Sequence, residues 1–256
     1  VFRRKKYSDI FPSAQKTKDK ISDTSFPKLL IFDLTLVGDG TATGELKNSL
    51  IGNHNRDNLL QVYSCGASKI GITDFQNLNK TSVDKDLLNS SIKEFNPEVI
   101  LFRPTPNNIE LHKSAMQTIR TLKIPVISWI MDDWPMRQKS ENEIIFNEFD
   151  KDYRELLKLS SVNLCISSAM GKAFKKRYQT NFYPLANGVN LTEWDNLTKR
   201  KSETKIIRYS GSLAEDMTLH SIVDIAKAVE QIAYDKNVVF EINTKKIWHN
   251  KIKKYL

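Results

Sequence analysis

The chain has 256 residues, of which 40% are hydrophobic and 27% are charged, enough for one large globular domain or two small ones. No apolar run approaches the roughly 20 residues of a membrane-spanning helix. The basic start VFRRKKYSDI is not followed by the apolar core of a signal peptide. These features predict a cytoplasmic protein.

The net charge of +9 is concentrated at the two ends of the chain. Residues 1–20 hold seven Lys or Arg against two Asp, and residues 245–256 hold five Lys and no acidic residue. A nucleic-acid-binding protein is expected to spread basic groups over a folded face with aromatic residues between them, so we expect no nucleic-acid partner. Two interpretations remain, solvated tails or peripheral contact with an anionic membrane, where each basic residue contributes about 1 kcal/mol.

The hydrophobic pattern predicts alternating strands and helices after an irregular basic leader at residues 1–26. The predicted strands are KLLIFDL, NLLQVYSCG, EVILFRP, PVISWIMDDWP and SVNLCISS. The predicted helices are GELKNSLIGNH, SVDKDLLNSSIKEFNP, NNIELHKSAMQTIRTLKI, EIIFNEFDKDYRELLKLS and AMGKAFKKRY. The first has an apolar face of Leu46, Leu50 and Ile51, and the third starts with an Asn cap. This order predicts an α/β fold with a doubly wound parallel sheet and ligands at the carboxyl ends of its strands.

A break in composition divides the chain. We predict an N-terminal Rossmann-like domain at residues 27–195, a linker at residues 196–205, and the start of a second Rossmann-like domain at residues 206–256. The last segment contains the strand IIRYSGS, the helix LHSIVDIAKAVEQIA and the strand VVFEINT. It is too short for a second open sheet, so we expect either an incomplete domain or extra strands of the first sheet.

A glycine-rich loop follows the first predicted strand. Gly38, Gly40 and Gly44 stand in the spacing GxGxxxG, whereas a dinucleotide fingerprint requires GxGxxG and an acidic residue about 20 positions later. Neither requirement is met, which disfavours a nicotinamide cofactor. Backbone N–H groups at a helix N-terminus still attract anions, so an anion-binding loop and a plain flexible turn both remain open.

Asp132 and Asp133 end a predicted buried strand and are followed by Trp134. Side chains of adjacent residues diverge on an extended backbone, and no third acidic ligand is near in sequence. We therefore expect no metal site, and we expect these carboxylates to bind sugar hydroxyls or to cap a helix. Cys65 and Cys165 lack a CxxC or His-rich companion, which predicts buried free thiols.

Several short motifs follow one another along the chain in the same order as in one enzyme family. They are Ser167, Ser168 and Met170, then Arg177 and Tyr178, then Asn187 to Asn190, then Tyr209, Gly211, Ser212 and Leu213, together with the stretch that ends in DDWP. This order resembles the large retaining family of nucleotide-sugar glycosyltransferases of the GT-B fold, over roughly residues 27 to 243. The family also builds bacterial surface polysaccharides.

The resemblance implies two Rossmann-like domains that face each other across a cleft and need neither a metal ion nor another cofactor. It implies a nucleotide-sugar donor held mainly by the C-terminal domain and a glycan or lipid-linked acceptor held mainly by the N-terminal domain. The residues implied to contact the donor diphosphate are Gly40, Thr43, Gly44, Gly211, Ser212 and Leu213. The implied catalytic residues are Asp132 and Asp133, and the implied cleft and acceptor residues are Arg103, Trp134, Ser167, Asn187 and Gly188.

The chain departs from the family pattern after the first strand of the second domain. The family commonly carries Arg and Lys there to neutralise the leaving diphosphate, and this chain has Ser212 and Met217 at about those positions. The family's paired-glutamate segment would fall after residue 256. Two alternatives therefore stay open beside glycosyl transfer, a non-catalytic nucleotide- or glycan-binding module and a nucleotide-sugar epimerase of the same fold. Arg103 likewise has two interpretations, an anion contact or a surface salt bridge.

Overall fold

The computed structural model describes residues 26–52, 55–141, 143–188, 203–215 and 217–255. The chain divides into two compact units, unit 1 (Val1–Val189) and unit 2 (Asn190–Leu256). The predicted leader before residue 26 and residues 196–202 of the predicted linker lie outside the described residues. Each unit is therefore described by itself.

Unit 1 is built on a sheet of eight strands. These are β1 (Leu29–Asp33), β2 (Leu59–Gly66), β3 (Lys69–Thr73), β4 (Asn79–Lys80), β5 (Val99–Phe102), β6 (Val126–Ile130), β7 (Val162–Cys165) and β8 (Tyr183–Pro184). Their order across the sheet is β4-β3-β2-β1-β5-β6-β7-β8. All neighbouring pairs are parallel except β2 with β3 and β3 with β4.

Helices connect the parallel strands, as crossover connections require. They are α1 (Ala42–Ile51), α2 (Lys85–Phe95), α3 (Ile109–Leu122), α4 (Trp134–Glu141), α5 (Glu143–Leu159) and α6 (Ser168–Tyr178). A 3-10 turn at Arg56–Asn58 leads into β2. Strands and helices thus alternate as the sequence predicts.

The central strand β1 is buried on both faces, which explains its continuous apolar run. Leu30 and Phe32 belong to a core cluster with residues of α2 and α3, whereas Leu29 and Ile31 belong to a second cluster that Ile51 of α1 joins. Alternate residues of a strand point to opposite faces. The helices therefore cover both faces of the sheet, as in a doubly wound fold.

Polar caps set the beginnings and ends of the helices. The side chains of Asp84 and Asn108 accept hydrogen bonds from the third backbone N–H groups of α2 and α3, which confirms the predicted Asn cap. α2 and α3 end at Asn96 and Lys123, both in the left-handed conformation with φ of 52°. Such left-handed caps satisfy the last carbonyl groups of a helix.

Unit 2 contains β9 (Lys205–Ser210), α7 (Leu219–Lys236), β10 (Val238–Asn243), a 3-10 turn (Lys246–Trp248) and α8 (His249–Ile252). β9 and β10 pair in parallel and form a sheet separate from that of unit 1. Its core contains Leu213, Leu219, Ile222, Val223 and Ile252. Unit 2 is therefore a βαβ unit with its own core. The predicted Rossmann-like α/β class is confirmed, and the GT-B type stays a prediction.

The sequence analysis is wrong about two local features. It predicts Leu50 on the apolar face of α1, but Leu50 is 44% exposed, and the buried residues of the helix are Gly44 and Lys47. It also predicts no strand between residues 67 and 81, where β3 and β4 extend the sheet. Both features depend on contacts that are distant in sequence, which local periodicity does not contain.

We predict that Ile100→Ala destabilises unit 1 by about 2–5 kcal/mol, because the truncation leaves a cavity in the core. Ile100 is fully buried in β5, between β1 and β6. Ile109→Ala is the matched control, since Ile109 is 41% exposed at the start of α3. Urea unfolding of the full chain measures both, and equal losses of unfolding free energy contradict the assignment of the core.

Candidate functional site

The parallel sheet of unit 1 has its switch point between β1 and β5. From β1 the chain crosses to β2 on one side, and it later returns to β5 on the other side of β1. Open α/β sheets bind ligands at such a point, beyond the carboxyl ends of the strands. β1 ends at Asp33, and Arg103 follows β5 directly. The candidate site of unit 1 therefore lies around these two residues.

Asp33, Lys47 and Arg103 form a buried ion cluster at the switch point. Arg103 donates to Asp33 Oδ1 through Nε, at 2.8 Å, and through Nη2. Lys47 Nζ lies 2.8 Å from Asp33 Oδ2. The exposed fractions of the three residues are 1% for Asp33, 1% for Lys47 and 7% for Arg103, so the predicted Arg103 contact is a buried ion pair and not a surface salt bridge.

Burial lowers the pKa of the Lys47 ammonium, because a charged group is disfavoured away from water. The nearby carboxylate of Asp33 opposes this shift, and the positive charge of Arg103 adds to it. With all three groups ionised, the cluster contains two cations and one carboxylate. It therefore carries an excess positive charge at the edge where the fold places ligands.

A second polar contact fixes the backbone between β1 and the glycine-rich loop. The fully buried Gln61 of β2 donates from Nε2 to Thr35 O at 2.6 Å and accepts at Oε1 from Val37 N at 3.1 Å. Lys47 Nζ donates to the Thr35 carbonyl and, at 3.2 Å, to its hydroxyl. These bonds hold the start of the loop against the sheet.

Each glycine of the loop has a structural role. Gly38 and Gly40 have φ of 73° and 77°, in the region that disfavours side chains. A Cβ on Gly44 would lie 2.6 Å from Leu36 O and 2.0 Å from Asp39 Oδ1. Gly44 therefore lets the first turn of α1 approach the strand end closely. The conformation of the loop is therefore specified by its glycines.

The loop binds two of its own carboxylates at the N-terminus of α1. Asp39 accepts from the backbone N–H groups of Leu36 and Thr41, at 2.9 and 3.0 Å, and Glu45 accepts from Gly40 N at 3.0 Å. The Gly44 N–H donates to the Thr41 hydroxyl at 3.0 Å. The proposed donor contacts of Gly40 and Gly44 thus have internal partners, whereas Thr43 in the first turn forms no side-chain hydrogen bond with a described residue. Their contact with a diphosphate stays a prediction.

The prediction that Asp132 and Asp133 end a buried strand is wrong, because β6 ends at Ile130 and both residues lie in the turn before α4. Their environments differ. Asp133 receives a bidentate ion pair from Arg177 of α6, with Nη1 at 2.7 Å and Nη2 at 2.9 Å, and it also caps α4. The Arg177 guanidinium stacks over the rings of Phe174 and Tyr178, at 5.2 and 5.6 Å. Asp132 is exposed and makes no ion pair with a described residue. Of the two predicted catalytic carboxylates, Asp132 is therefore the one left to accept hydrogen bonds from a ligand.

The remaining predicted residues of unit 1 lie at three different places. Trp134 begins α4 and packs against the core cluster of Ile130 and Tyr153, with the Arg137 guanidinium 5.4 Å from its ring centre. Ser167 is the N-cap of α6 and accepts from Met170 N at 3.1 Å. Asn187 and Gly188 are exposed in an extended segment after β8. Gly188 does not adopt a positive φ. The predicted acceptor contacts of all these residues stay predictions.

Unit 2 has a pocket of about 600 Å³ at the carboxyl edge of its sheet. The pocket is lined by Gly211, Ser212, Asn243, Thr244, Lys245, Ile247 and Trp248. The Ser212 carbonyl is held by the hydroxyls of Tyr209 and Thr218, at 2.5 and 2.6 Å. The side chain of Leu213 is fully buried in the core and does not line the pocket. Two of the three predicted donor residues of this unit thus lie at a pocket.

The sequence did not identify Asp33, Lys47 and Lys245 as residues of the candidate sites. It also did not indicate that Arg177 pairs with Asp133. Asp33 has a sequence signal, since it ends the buried run LLIFD at the carboxyl edge of a predicted strand. Lys47 has none, because a lysine on an amphipathic helix is normally placed on the solvent side. Arg177 and Lys245 acquire their positions only through pairing of distant segments.

Among the described residues, no group of three or more His, Cys, Asp or Glu is arranged to hold a metal ion. In the same part of the chain, no helix has the length and apolar character needed to cross a membrane. Cys165 is a buried free thiol, as predicted, and Cys65 is a free thiol that is partly exposed.

No protein-family model matches the sequence, and no curated protein matches it. Among solved structures, a UDP-N-acetylglucosamine 2-epimerase from Rickettsia bellii is similar to this chain, with a TM-score of 0.46 and 11% sequence identity. The similarity covers 89% of this chain, which spans 65% of the length of the epimerase chain.

We predict that Gly44→Ala destabilises unit 1 by about 1–3 kcal/mol, because the added methyl group would overlap the backbone carbonyl of Leu36. Gly188→Ala is the control, since a Cβ there meets no atom within 4 Å. Thermal unfolding of the full chain measures both variants. If Gly44→Ala is as stable as the control, the close approach at the loop is wrong.

We predict that acid weakens the loop through Asp39. Burial alone would raise the pKa of this carboxyl, but hydrogen bonds from Thr41 and Leu36 outweigh it, so the pKa lies below the ordinary value of 3.8. The stabilisation by the Asp39 carboxylate is complete at a pH above about 4, and it is lost as the pH falls through the lowered pKa. Its size is below about 1 kcal/mol, because water screens this exposed loop.

Urea unfolding at about pH 7 and about pH 3 checks this prediction. The destabilisation caused by Asp39→Asn should be larger at the higher pH, because at about pH 3 the carboxyl of the unfolded chain is largely protonated and part of the stabilisation is lost. Asp57→Asn is the control, since no described residue forms a hydrogen bond with the Asp57 carboxylate. A destabilisation by Asp39→Asn that does not change with pH contradicts the role of the Asp39 charge.

Proposed function

We propose that the protein transfers a sugar from a nucleoside-diphosphate sugar to a glycan or lipid-linked acceptor, in the biosynthesis of surface polysaccharide. One observation carries the proposal: each of the two parallel α/β units has polar and cationic side chains at the carboxyl edge of its sheet. A transferase of this kind needs two binding edges, one for the donor and one for the acceptor. The order of the sequence motifs supports the same assignment.

The pocket of unit 2 supports a role in donor binding. Lys245 and Ser212 both line it, and neither the Lys245 ammonium nor the Ser212 hydroxyl has a hydrogen-bond or ion-pair partner among the described residues. A diphosphate leaving group needs donors and positive charge that are in place before the bond breaks. In the proposed enzyme Lys245 supplies the charge that the family places on the loop after the preceding strand, where this chain has Ser212 and Met217.

The carboxyl edge of unit 1 supports a role in acceptor binding. Asp132 is exposed, and its carboxylate is available to orient a sugar hydroxyl, whereas Asp133 is held by Arg177. In the proposed mechanism the leaving phosphate takes the proton of the attacking hydroxyl on the same face of the sugar, and the configuration is retained. The protein then acts mainly by positioning the two substrates and by stabilising the leaving diphosphate.

We also propose that the reaction needs no metal ion and takes place in the cytoplasm, at the inner face of the membrane. The cations Lys245 and Arg103 are the groups proposed to balance substrate charge. The basic residues at both ends of the chain support attraction to an anionic surface.

The first experiment is ligand-observed NMR of the full chain with UDP, GDP, ADP and NAD. We expect one nucleoside diphosphate to bind selectively, and Lys245→Ala to weaken it at least tenfold, because a charge-assisted hydrogen bond contributes roughly 1.5–3 kcal/mol. Lys236→Ala is the matched control, since Lys236 ends α7 immediately before β10 begins, at the opposite edge of the sheet. Binding of NAD alone contradicts the proposal.

A turnover assay with the matching nucleotide sugars separates the remaining functions. Release of free nucleotide that requires an added glycan or lipid-linked acceptor is the expected result. Conversion of the donor sugar without an acceptor supports an epimerase instead, and nucleotide binding without any turnover supports a non-catalytic module. Either of the last two results contradicts glycosyl transfer.

A further inference from the structure

We infer that Arg103 forms a binding site for an oxyanion, a phosphate or a carboxylate, at the switch point of unit 1. This oxyanion is assigned to the acceptor. The assignment rests on the proposed function, in which unit 2 holds the donor. The acceptor is then an anionic molecule and not a neutral glycan.

Neither the lysine nor the carboxylate of the cluster offers a free donor to a ligand. The three N–H groups of Lys47 have Asp33 Oδ2, Thr35 O and Thr35 Oγ1 as partners. Asp33 Oδ1 accepts from Arg103 and, at 3.3 Å, from Thr35 N, while Oδ2 is paired with Lys47. Because an ionised carboxylate only accepts hydrogen bonds, Asp33 cannot bind an oxyanion itself.

Arg103 is different, because only Nε and Nη2 of its guanidinium bind Asp33. Nη1 has no hydrogen-bond partner among the described residues. It is also not fully enclosed by protein atoms. The side chain keeps 8% of its exposure. Nη1 is therefore accessible at the surface of a largely buried arginine, and it has two N–H donors to offer a ligand.

The Asp33 pair also fixes the position of this donor. A guanidinium held through Nε and Nη2 cannot rotate freely, so little side-chain entropy remains to be lost when a ligand binds. Rigid and buried cationic donors suit carboxylate and phosphate oxygens, because charge-assisted bonds are roughly twice as strong as neutral ones. The geometry therefore favours an oxyanion over a sugar hydroxyl.

The charge balance favours the same ligand. The cluster has one cation more than it has carboxylates, and an unbalanced buried charge is costly. Asp39 lies near enough to act on Lys47, but it is exposed and its carboxylate is bound by Leu36 and Thr41. A bound oxyanion removes the imbalance directly. The sheet topology independently places ligands at this edge.

The test is a titration of the full chain with inorganic phosphate and with glucuronate at constant ionic strength, followed by calorimetry. We expect at least one of them to bind, and Arg103→Gln to weaken that binding at least tenfold. Arg103→Gln keeps the Asp33–Lys47 ion pair, whose opposite charges balance each other, and we therefore expect the variant to fold. Arg120→Gln is the matched control, because Arg120 is an exposed arginine of unit 1 that pairs with Asp152 and Glu155. The control should bind as the wild type does.

The two probes distinguish the sources of the oxyanion. Preference for phosphate indicates a phosphorylated acceptor such as a lipid-linked phosphate, and preference for glucuronate indicates an acidic sugar. If Arg103→Gln fails to fold, side-chain NMR of the wild type replaces it, and ligand must shift the Nε–H resonance of Arg103 but not that of Arg120. Absence of binding by either probe overturns the inference, as does binding that Arg103→Gln leaves unchanged.

Failure of this inference is distinguishable from failure of the proposed function. Phosphate binding through Arg103 in a chain that binds no nucleoside diphosphate supports the oxyanion site and contradicts the transferase. Transfer to a neutral acceptor that is equally fast in Arg103→Gln supports the transferase and overturns the anionic acceptor.

Discussion

The buried carboxylate of Asp33 is the constraint around which the carboxyl edge of unit 1 is organised. It continues the apolar run of β1 and is as buried as the four residues before it, so its charge must be balanced inside the protein. Lys47 reaches it from α1 and Arg103 from the end of β5, which ties three elements together at the switch point. Removing this carboxylate would leave two buried cations without their counter-charge, a loss that typically costs about 3–5 kcal/mol. The position of α1 in turn depends on Gly44, which lies one turn before Lys47 on the same buried face and allows the helix to come close.

The glycine-rich loop shows why a motif and a geometry need separate interpretation. Its positive φ values and its tight contact at Gly44 are properties that phosphate-binding loops also use. In this chain, however, Asp39 and Glu45 bind backbone N–H groups of the loop, so its own carboxylates occupy positions that an anion would take. The net result is a rigid connection that positions Lys47, and the positive charge appears beside the loop, on Arg103.

Local pattern was sufficient to predict most of the fold from the sequence. Continuous apolar runs, helical periodicity and the Asn108 cap depend on neighbours in the chain, and these predictions hold. The failures share one cause, since each depends on a residue far away in sequence. Lys47 is buried because Asp33 and Thr35 surround its ammonium, and β3 is a strand because β2 pairs with it. Asp132 and Asp133 look equivalent in the sequence, and only the pairing of Asp133 with Arg177 of α6 separates them.

The same distinction applies to the charges proposed to act on substrate. Parallel strands end at the same edge of a sheet, so residues after neighbouring strands can act on the same ligand. In unit 2, Lys245 after β10 lines the same pocket as Ser212 after β9. Ser212 and Met217 therefore need not be basic for the negative charge of a diphosphate to be balanced. In unit 1 the end of β5 places Arg103 beside the end of β1 in the same way. In the proposed enzyme, the end of a neighbouring strand therefore supplies the charge that the family's residue pattern places on the preceding loop.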